Sequence, residues 1–156
     1  MIKEIPLFTN VILWSAIGAW AIAQGLKPLI DYFYTKKWNW LLLLRAGGMP
    51  SSHSALVAAT AHSVGLYHGF DTPLFAVAVT LAVIVIYDAT GIRRQAGKQA
   101  EKINAIIRDL ASGHPHWQET QEQLREVLGH TPMEAIAGTA LGVVFAHLTW
   151  FLNTQG

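Results

Sequence analysis

Cysteine is absent from the 156 residues, which leaves no disulfide framework, no thiol nucleophile and no Cys-based zinc site. Charge is scarce: Asp, Glu, Lys and Arg make up 13% of the chain, against roughly 25% in soluble domains. With a formal net charge of +1 and no basic tract, nothing argues for a nucleic-acid partner. The first long apolar run follows Met-Ile-Lys-Glu-Ile-Pro without an Ala-x-Ala cleavage pattern, so it reads as an anchor and not as a removed signal peptide. What the chain does have is apolar surface. At 52% hydrophobic it is too apolar for a soluble protein of this size. Its six Trp include Trp38, Trp40 and Trp150 near the ends of apolar segments, where interfacial anchors belong.

Leu7 to Leu26 is interrupted only by Thr9, Asn10, Ser15 and Gln24, and is long enough to span a bilayer as a helix, which takes roughly 20 residues. Pro28 to Tyr34 extends it or forms a short interfacial piece, and Lys36 and Lys37 mark a membrane surface. Trp38 to Leu44 is too short to span and reads as a re-entrant or interfacial helix. Ser54 to Phe70, rich in Ala and Gly, is the second span. After a turn at Gly69–Pro73, Leu74 to Tyr87 with its flanks is the third, ending at Asp88. Glu101 to Arg125 reads as an amphipathic or polar helix outside the bilayer, broken near Ser112-Gly-His-Pro115. Met133 to Leu152 is the last span, and Gly138 and Gly142 on it form a helix-packing face. The expected fold is therefore a single all-α domain over residues 1–156, a polytopic membrane helix bundle of about four transmembrane helices plus interfacial ones.

If the spans alternate, Lys27, Lys36, Lys37 and Arg45 share a side with Arg93, Arg94, Lys98, Lys102, Arg108 and Arg125, while the other side has only Lys3. That asymmetry places the first side in the cytoplasm and both termini outside.

Three polar clusters fall on this cytoplasmic side. Arg45-Ala-Gly-Gly-Met-Pro-Ser-Ser-His53 combines a cation, two glycines that let a ligand approach the backbone, and a helix start whose free N–H groups suit an anion such as phosphate. Ser51 and Ser52 stand beside those groups. His53 is either a surface histidine on a capped helix or a general acid next to the bound anion. In Gly129-His-Thr-Pro-Met-Glu134, Glu134 closes a capping box with Thr131 and also comes within reach of His130, where a carboxylate fixes the imidazole tautomer and strengthens it as a nucleophile. In Asp88-Ala-Thr-Gly-Ile-Arg-Arg94, Asp88 either pairs structurally with an arginine or joins a site in which Arg93 or Arg94 clamps phosphate oxygens, with Lys98 on the continuing face. His62, His68, His114, His116 and His147 fit no ligand spacing with these clusters.

Taken together, these residues resemble the superfamily of type 2 phosphatidic acid phosphatases and vanadium haloperoxidases, and more closely its small divergent bacterial and plant membrane branch. The branch pattern Gly-Gly-Met-Pro-Ser-Ser-His, Asp-Ala-Thr-Gly-x-Arg-Arg and Gly-His-Thr-Pro-x-Glu is matched by residues 47–53, 88–94 and 129–134. The resemblance implies that His53 is the acid, His130 the nucleophile and Glu134 its orienting carboxylate. It also implies a metal-free reaction, although Asp88 and Glu134 leave a Mg²⁺-assisted version open. The broader family's first motif, Lys-x6-Arg-Pro, is not kept: seven residues separate Lys37 from Arg45, and Ala46 replaces the proline. Leu124 stands where the third motif's arginine belongs, with Arg125 one place out of register, and Glu134 replaces an aspartate. The phosphate clamp therefore does not carry over, and Arg93 or Arg94 is expected to fill in.

The implied function is hydrolysis of a lipid phosphate monoester in a bacterial-type inner membrane through a phosphohistidine, with the active site facing the cytoplasm. Phosphatidylglycerophosphate is the favoured substrate, ahead of phosphatidic acid and polyprenyl phosphates. The bilayer is the expected partner, and the small size of the chain leaves room for a homodimer. The competing readings are a non-catalytic protein that binds anionic lipid or transports a phosphorylated solute, and a helical scaffold whose glycines and caps are only architectural.

Overall fold

Stretches of apolar sequence bounded by capping residues form helices, and the computed structural model of the protein is built from them. It describes residues 7–44, 47–111 and 129–155, with the backbone alone for residues 7, 92–94 and 109–111. Among the described residues five α-helices follow in order: α1 (Val11–Thr35), α2 (Ser52–His68), α3 (Pro73–Thr90), α4 (Ile92–Ala111) and α5 (Pro132–Gln155). No strand occurs among the described residues.

Each boundary has a local cause. The Asn10 side chain accepts from the Leu13 N–H and starts α1; Lys36, with φ of 58°, ends it. Pro28 lies inside α1, which runs on through it, so the Pro28–Tyr34 piece is an extension of the first helix. Thr72 caps α3, with Pro73 in its first turn. The helix expected over Trp38–Leu44 is reduced to one 3₁₀ turn, Trp40–Leu43, because Asn39 makes no side-chain cap and four residues cannot hold an α-helix. Gln24 Nε2 pins this turn to α1 by donating to the Leu43 carbonyl at 2.6 Å. Trp38 stacks between Tyr32 and Trp40 at 4.6 and 5.2 Å, leaving an exposed aromatic ledge of the kind that sits at a bilayer interface. The polar helix begins at Ile92, well before Glu101, because Gly91 alone separates it from α3. The break expected at Ser112–Pro115, and the stretch on to Arg125, lie outside the described residues.

The interior is made of small residues. Ser15, Ala16, Ala19, Ala23 and Lys27 form the buried stripe of α1 and face α2 and α5. Ala19, Ala23, Ala55, Ala59 and Ala146 make one core cluster, and Val57 and Ala61 of α2 meet Ala82 of α3 in another. Helices α2 and α5 run parallel: Gly138 lies against the Ser51 backbone, and Gly142 against Ala55 and Ala59. A Cβ on either glycine would run into a carbonyl oxygen of α2. Helix α1 runs antiparallel to α2, with Lys27 at Ser52 and Ser15 at Ser63. At the far end Ser15 Oγ sits 3.1 Å from Ser63 Oγ and 3.0 Å from Thr149 Oγ1, a polar clasp across three helices.

The large apolar side chains point outward instead: Val77, Ile84, Ile136 and Leu152 are each more than half exposed. A surface this apolar is stable in lipid, where helices associate through close small-residue contacts and interhelical hydrogen bonds. Two stretches, Pro73–Arg108 and Pro132–Gln155, are long and apolar enough to cross a membrane. Helix α2, at 17 residues, is shorter than either of these stretches.

Gly142→Val should therefore force α2 and α5 apart and destabilise the bundle by about 1–3 kcal/mol, the usual range for overpacking. Val144→Ala, at an exposed position of the same helix, should change stability little. Thermal unfolding of both variants in detergent checks the contrast.

Candidate functional site

Because α2 and α5 run parallel, their N-termini arrive side by side at one end of the bundle, where α3 ends and the C-terminal half of α1 passes. The loop entering α2 turns through Gly47 and Gly48, whose φ values of 105° and 81° favour glycine. Ser51 then caps the helix. Its Oγ accepts from the Ser54 N–H at 3.3 Å, and the Ser54 hydroxyl donates to it at 3.0 Å. Two backbone hydrogen bonds join the three sequence clusters. The Ser51 N–H donates to the Glu134 carbonyl at 2.9 Å, and the His130 N–H donates to the Ala89 carbonyl at 2.8 Å.

At the start of α5 both readings of Glu134 hold at once. The Glu134 N–H donates to Thr131 Oγ1 at 3.3 Å, and the Thr131 N–H donates back to Glu134 Oε2 at 3.2 Å, closing the capping box. The same Oε2 lies 3.0 Å from His130 Nδ1. A carboxylate at Nδ1 holds the proton there and leaves the lone pair on Nε2. His130 is only 3% exposed, and its Nε2 is buried with no hydrogen-bond partner among the described residues. The half-buried His53 ring lies beside it, with ring centroids 6.2 Å apart and planes inclined at 59°.

One residue of this site was not singled out from the sequence for chemistry. Lys27 is 2% exposed, and its Nζ donates to Ser52 Oγ at 3.4 Å. Its stem passes under Gly48, and its ammonium feels the Glu134 carboxylate. Burying an ammonium costs several kcal/mol unless nearby oxygens offset it. The available signal was spacing: Ser15, Ala19, Ala23 and Lys27 fall every four residues on the stripe that faces the bundle interior.

Of the residues expected at the site, His53, His130, Glu134, Ser51 and Ser52 come together here. The Ser51 hydroxyl is used in capping, while that of Ser52 meets Lys27. Asp88 is half-buried on the last turn of α3, next to Ala89. The α4 backbone brings Arg93 and Arg94 to this end of the bundle, but their side chains lie outside the described residues, as does Arg45. Lys98 is exposed on α4. Among the described residues no three imidazole or carboxylate groups gather in a metal-binding arrangement. The electrostatic balance favours an anion. The N-termini of α2 and α5, each carrying roughly half a positive charge, lie side by side at the end of the bundle where Lys27 is buried.

The model of the divergent PAP2 family matches residues 8–145. The chain belongs to the divergent PAP2 family. It is 42% identical over 146 residues to YuiD of Bacillus subtilis, an uncharacterized membrane protein, an alignment covering 88% of this chain and 92% of that one. No solved structure matches the chain. Family membership and this relative agree with the apolar exterior: the protein is a helical membrane protein.

If this end of the bundle binds an anion, Lys27→Met should weaken orthophosphate binding by roughly 10- to 100-fold, the worth of one charged hydrogen bond. Lys27→Arg should recover part of the loss. Calorimetric titration in detergent with orthophosphate measures both, and unchanged affinity in Lys27→Met would remove the lysine from the site.

Proposed function

We propose that this protein is a membrane phosphatase acting on a lipid phosphate monoester. The observation that carries this reading is the buried Nε2 of His130, which has no partner among the described residues, with Glu134 on the ring's other nitrogen and His53 beside it. A buried polar atom without a partner is costly, and a nucleophile awaiting an electrophile accounts for it.

In the proposed reaction His130 Nε2 attacks phosphorus, and the bond from phosphorus to the alcohol oxygen breaks in line. His53 gives its proton to the departing alkoxide. Glu134 stabilises the positive charge that develops on the His130 ring. The resulting phosphohistidine is hydrolysed when His53, now neutral, takes a proton from water and the hydroxide attacks phosphorus, breaking the bond from phosphorus to His130 Nε2 and returning its electron pair to that nitrogen. Lys27, Ser52 and the N–H groups opening α2 stabilise the charge on the non-bridging oxygens. Arg45 and either Arg93 or Arg94 add to that clamp, with Asp88 and Lys98 at its margin. None of these steps calls on a divalent cation, so turnover is expected to persist in the presence of a chelator.

The basic residues on the motif side argue for a site on the cytoplasmic face of a multi-pass protein in a bacterial inner membrane. A lipid phosphate made in the inner leaflet, phosphatidylglycerophosphate first, fits that opening.

The test is phosphate release from phosphatidylglycerophosphate in detergent. His53→Ala should lower kcat by about 10²–10⁴-fold, the usual contribution of a general acid, and His130→Ala by at least as much. Wild type should also form an acid-labile phosphoenzyme that is missing in His130→Ala. Wild-type turnover in both variants would overturn the mechanism. Headgroup binding that survives His130→Ala, with no hydrolysis by wild type, would favour a binding or transport protein.

A further inference from the structure

A groove of about 410 Å³ runs between α3 and α5, walled by Ile86 and Thr90 on one side and by Pro132, Ile136, Thr139 and Ala140 on the other. Its origin lies in the packing. Gly138 and Gly142 draw α5 onto α2, while Val57, Ala61 and Ala82 hold α3 to a different part of α2. The described hydrogen bond between α3 and the α5 entry, His130 N–H to the Ala89 carbonyl, closes only one end. That end is the one at the candidate site: Thr90 follows Ala89 and Pro132 lies two residues after His130.

The lining is mostly apolar, and its two hydroxyls spend their protons within their own helices. The Thr90 hydroxyl donates to the Ile86 carbonyl at 3.0 Å and the Thr139 hydroxyl to the Ala135 carbonyl at 2.9 Å. Both threonines turn their oxygens back into their own helices. Both walls belong to stretches long and apolar enough to cross a membrane, and Ile136 in the α5 wall is 60% exposed. The groove thus opens where hydrocarbon is the solvent. Its volume falls in the range of roughly 300–1,000 Å³ typical of small-ligand sites.

We propose that this groove holds one hydrocarbon chain of the substrate lipid while its phosphate sits at His130. The inference rests on the lipid-phosphatase reading and adds to it a residue set that selects for the chain. Headgroup chemistry is read at the ends of α2 and α5. Chain recognition is read along α3 and α5, starting from the His130 end.

Ala140→Phe fills the groove without touching the phosphate site, and Val144→Phe is the control on an exposed part of α5. For Ala140→Phe, kcat/KM on dioleoyl phosphatidylglycerophosphate in mixed micelles should fall about tenfold, the contact of roughly two buried methylenes. The loss should appear in KM, and the soluble dibutyryl analogue should be turned over within about twofold of wild type. Val144→Phe should leave both unchanged. Undiminished activity of Ala140→Phe on the dioleoyl lipid would overturn the proposal. Wild-type protein supplies an independent readout. A phosphatidylglycerophosphate with a diazirine in its acyl chain should crosslink to residues 83–90 and 132–140, and unlabelled phosphatidylglycerophosphate should compete where phosphatidylcholine does not. Labelling elsewhere, or equal competition by phosphatidylcholine, which marks the groove as an ordinary lipid contact, would overturn it. If wild type hydrolyses neither substrate, the phosphatase reading fails, and the crosslinks alone decide the groove.

Discussion

The close parallel contact of α2 with α5 is the constraint on which the rest of the structure depends. Helices usually meet through side chains; here Gly138 and Gly142 remove them, so the α5 backbone lies against the backbone of Ser51, Ala55 and Ala59. The contact sets two N-termini side by side and keeps Ser51 within hydrogen-bond reach of the Glu134 carbonyl. With that register, His53 and His130 become neighbours although they are far apart in the chain. In lipid, where burial of apolar area offers little between helices, such contact and a few polar clasps are what hold a bundle together.

The polarity of the molecule is consequently reversed from that of a soluble bundle. Alanine, glycine and serine fill the inside, isoleucine, leucine and valine cover the outside, and the one lysine among the fully buried side chains sits at the site. A buried ammonium and two helix N-termini set positive potential at one end of the bundle, beside the buried His130 ring and the Glu134 carboxylate. On the proposed reading this end of the bundle is built to hold a phosphate, while the Ser15–Ser63–Thr149 clasp ties the helices together at the other end.

Much of this was legible in the sequence, and the parts that were not have physical reasons. The apolar runs placed the helices, although Asn10, read as a polar break within the first run, is the cap that starts α1 at Val11; the three motifs were readable because each carries its own cap or glycine turn beside its reactive groups. The dual role of Glu134 was readable from the capping box, since a side chain that reaches back to the first turn also reaches a histidine there. Lys27 was harder. A lone lysine after twenty apolar residues looks like a marker of the membrane surface, and only its place in a four-residue stripe of small side chains reveals that it faces inward. The α3–α5 groove was not legible at all, because it arises from two helices leaning on different parts of a third.

The central claim is that one phosphate is shared by the two imidazoles, and solid-state NMR measures that most directly. With ¹⁵N-labelled histidine and bound orthophosphate, ³¹P should dephase ring-nitrogen signals of both His53 and His130, assigned by their loss in the respective alanine variants. Dephasing of both by a single bound phosphate is the predicted result. Dephasing of neither ring, or of one ring alone at saturating phosphate, would contradict the account.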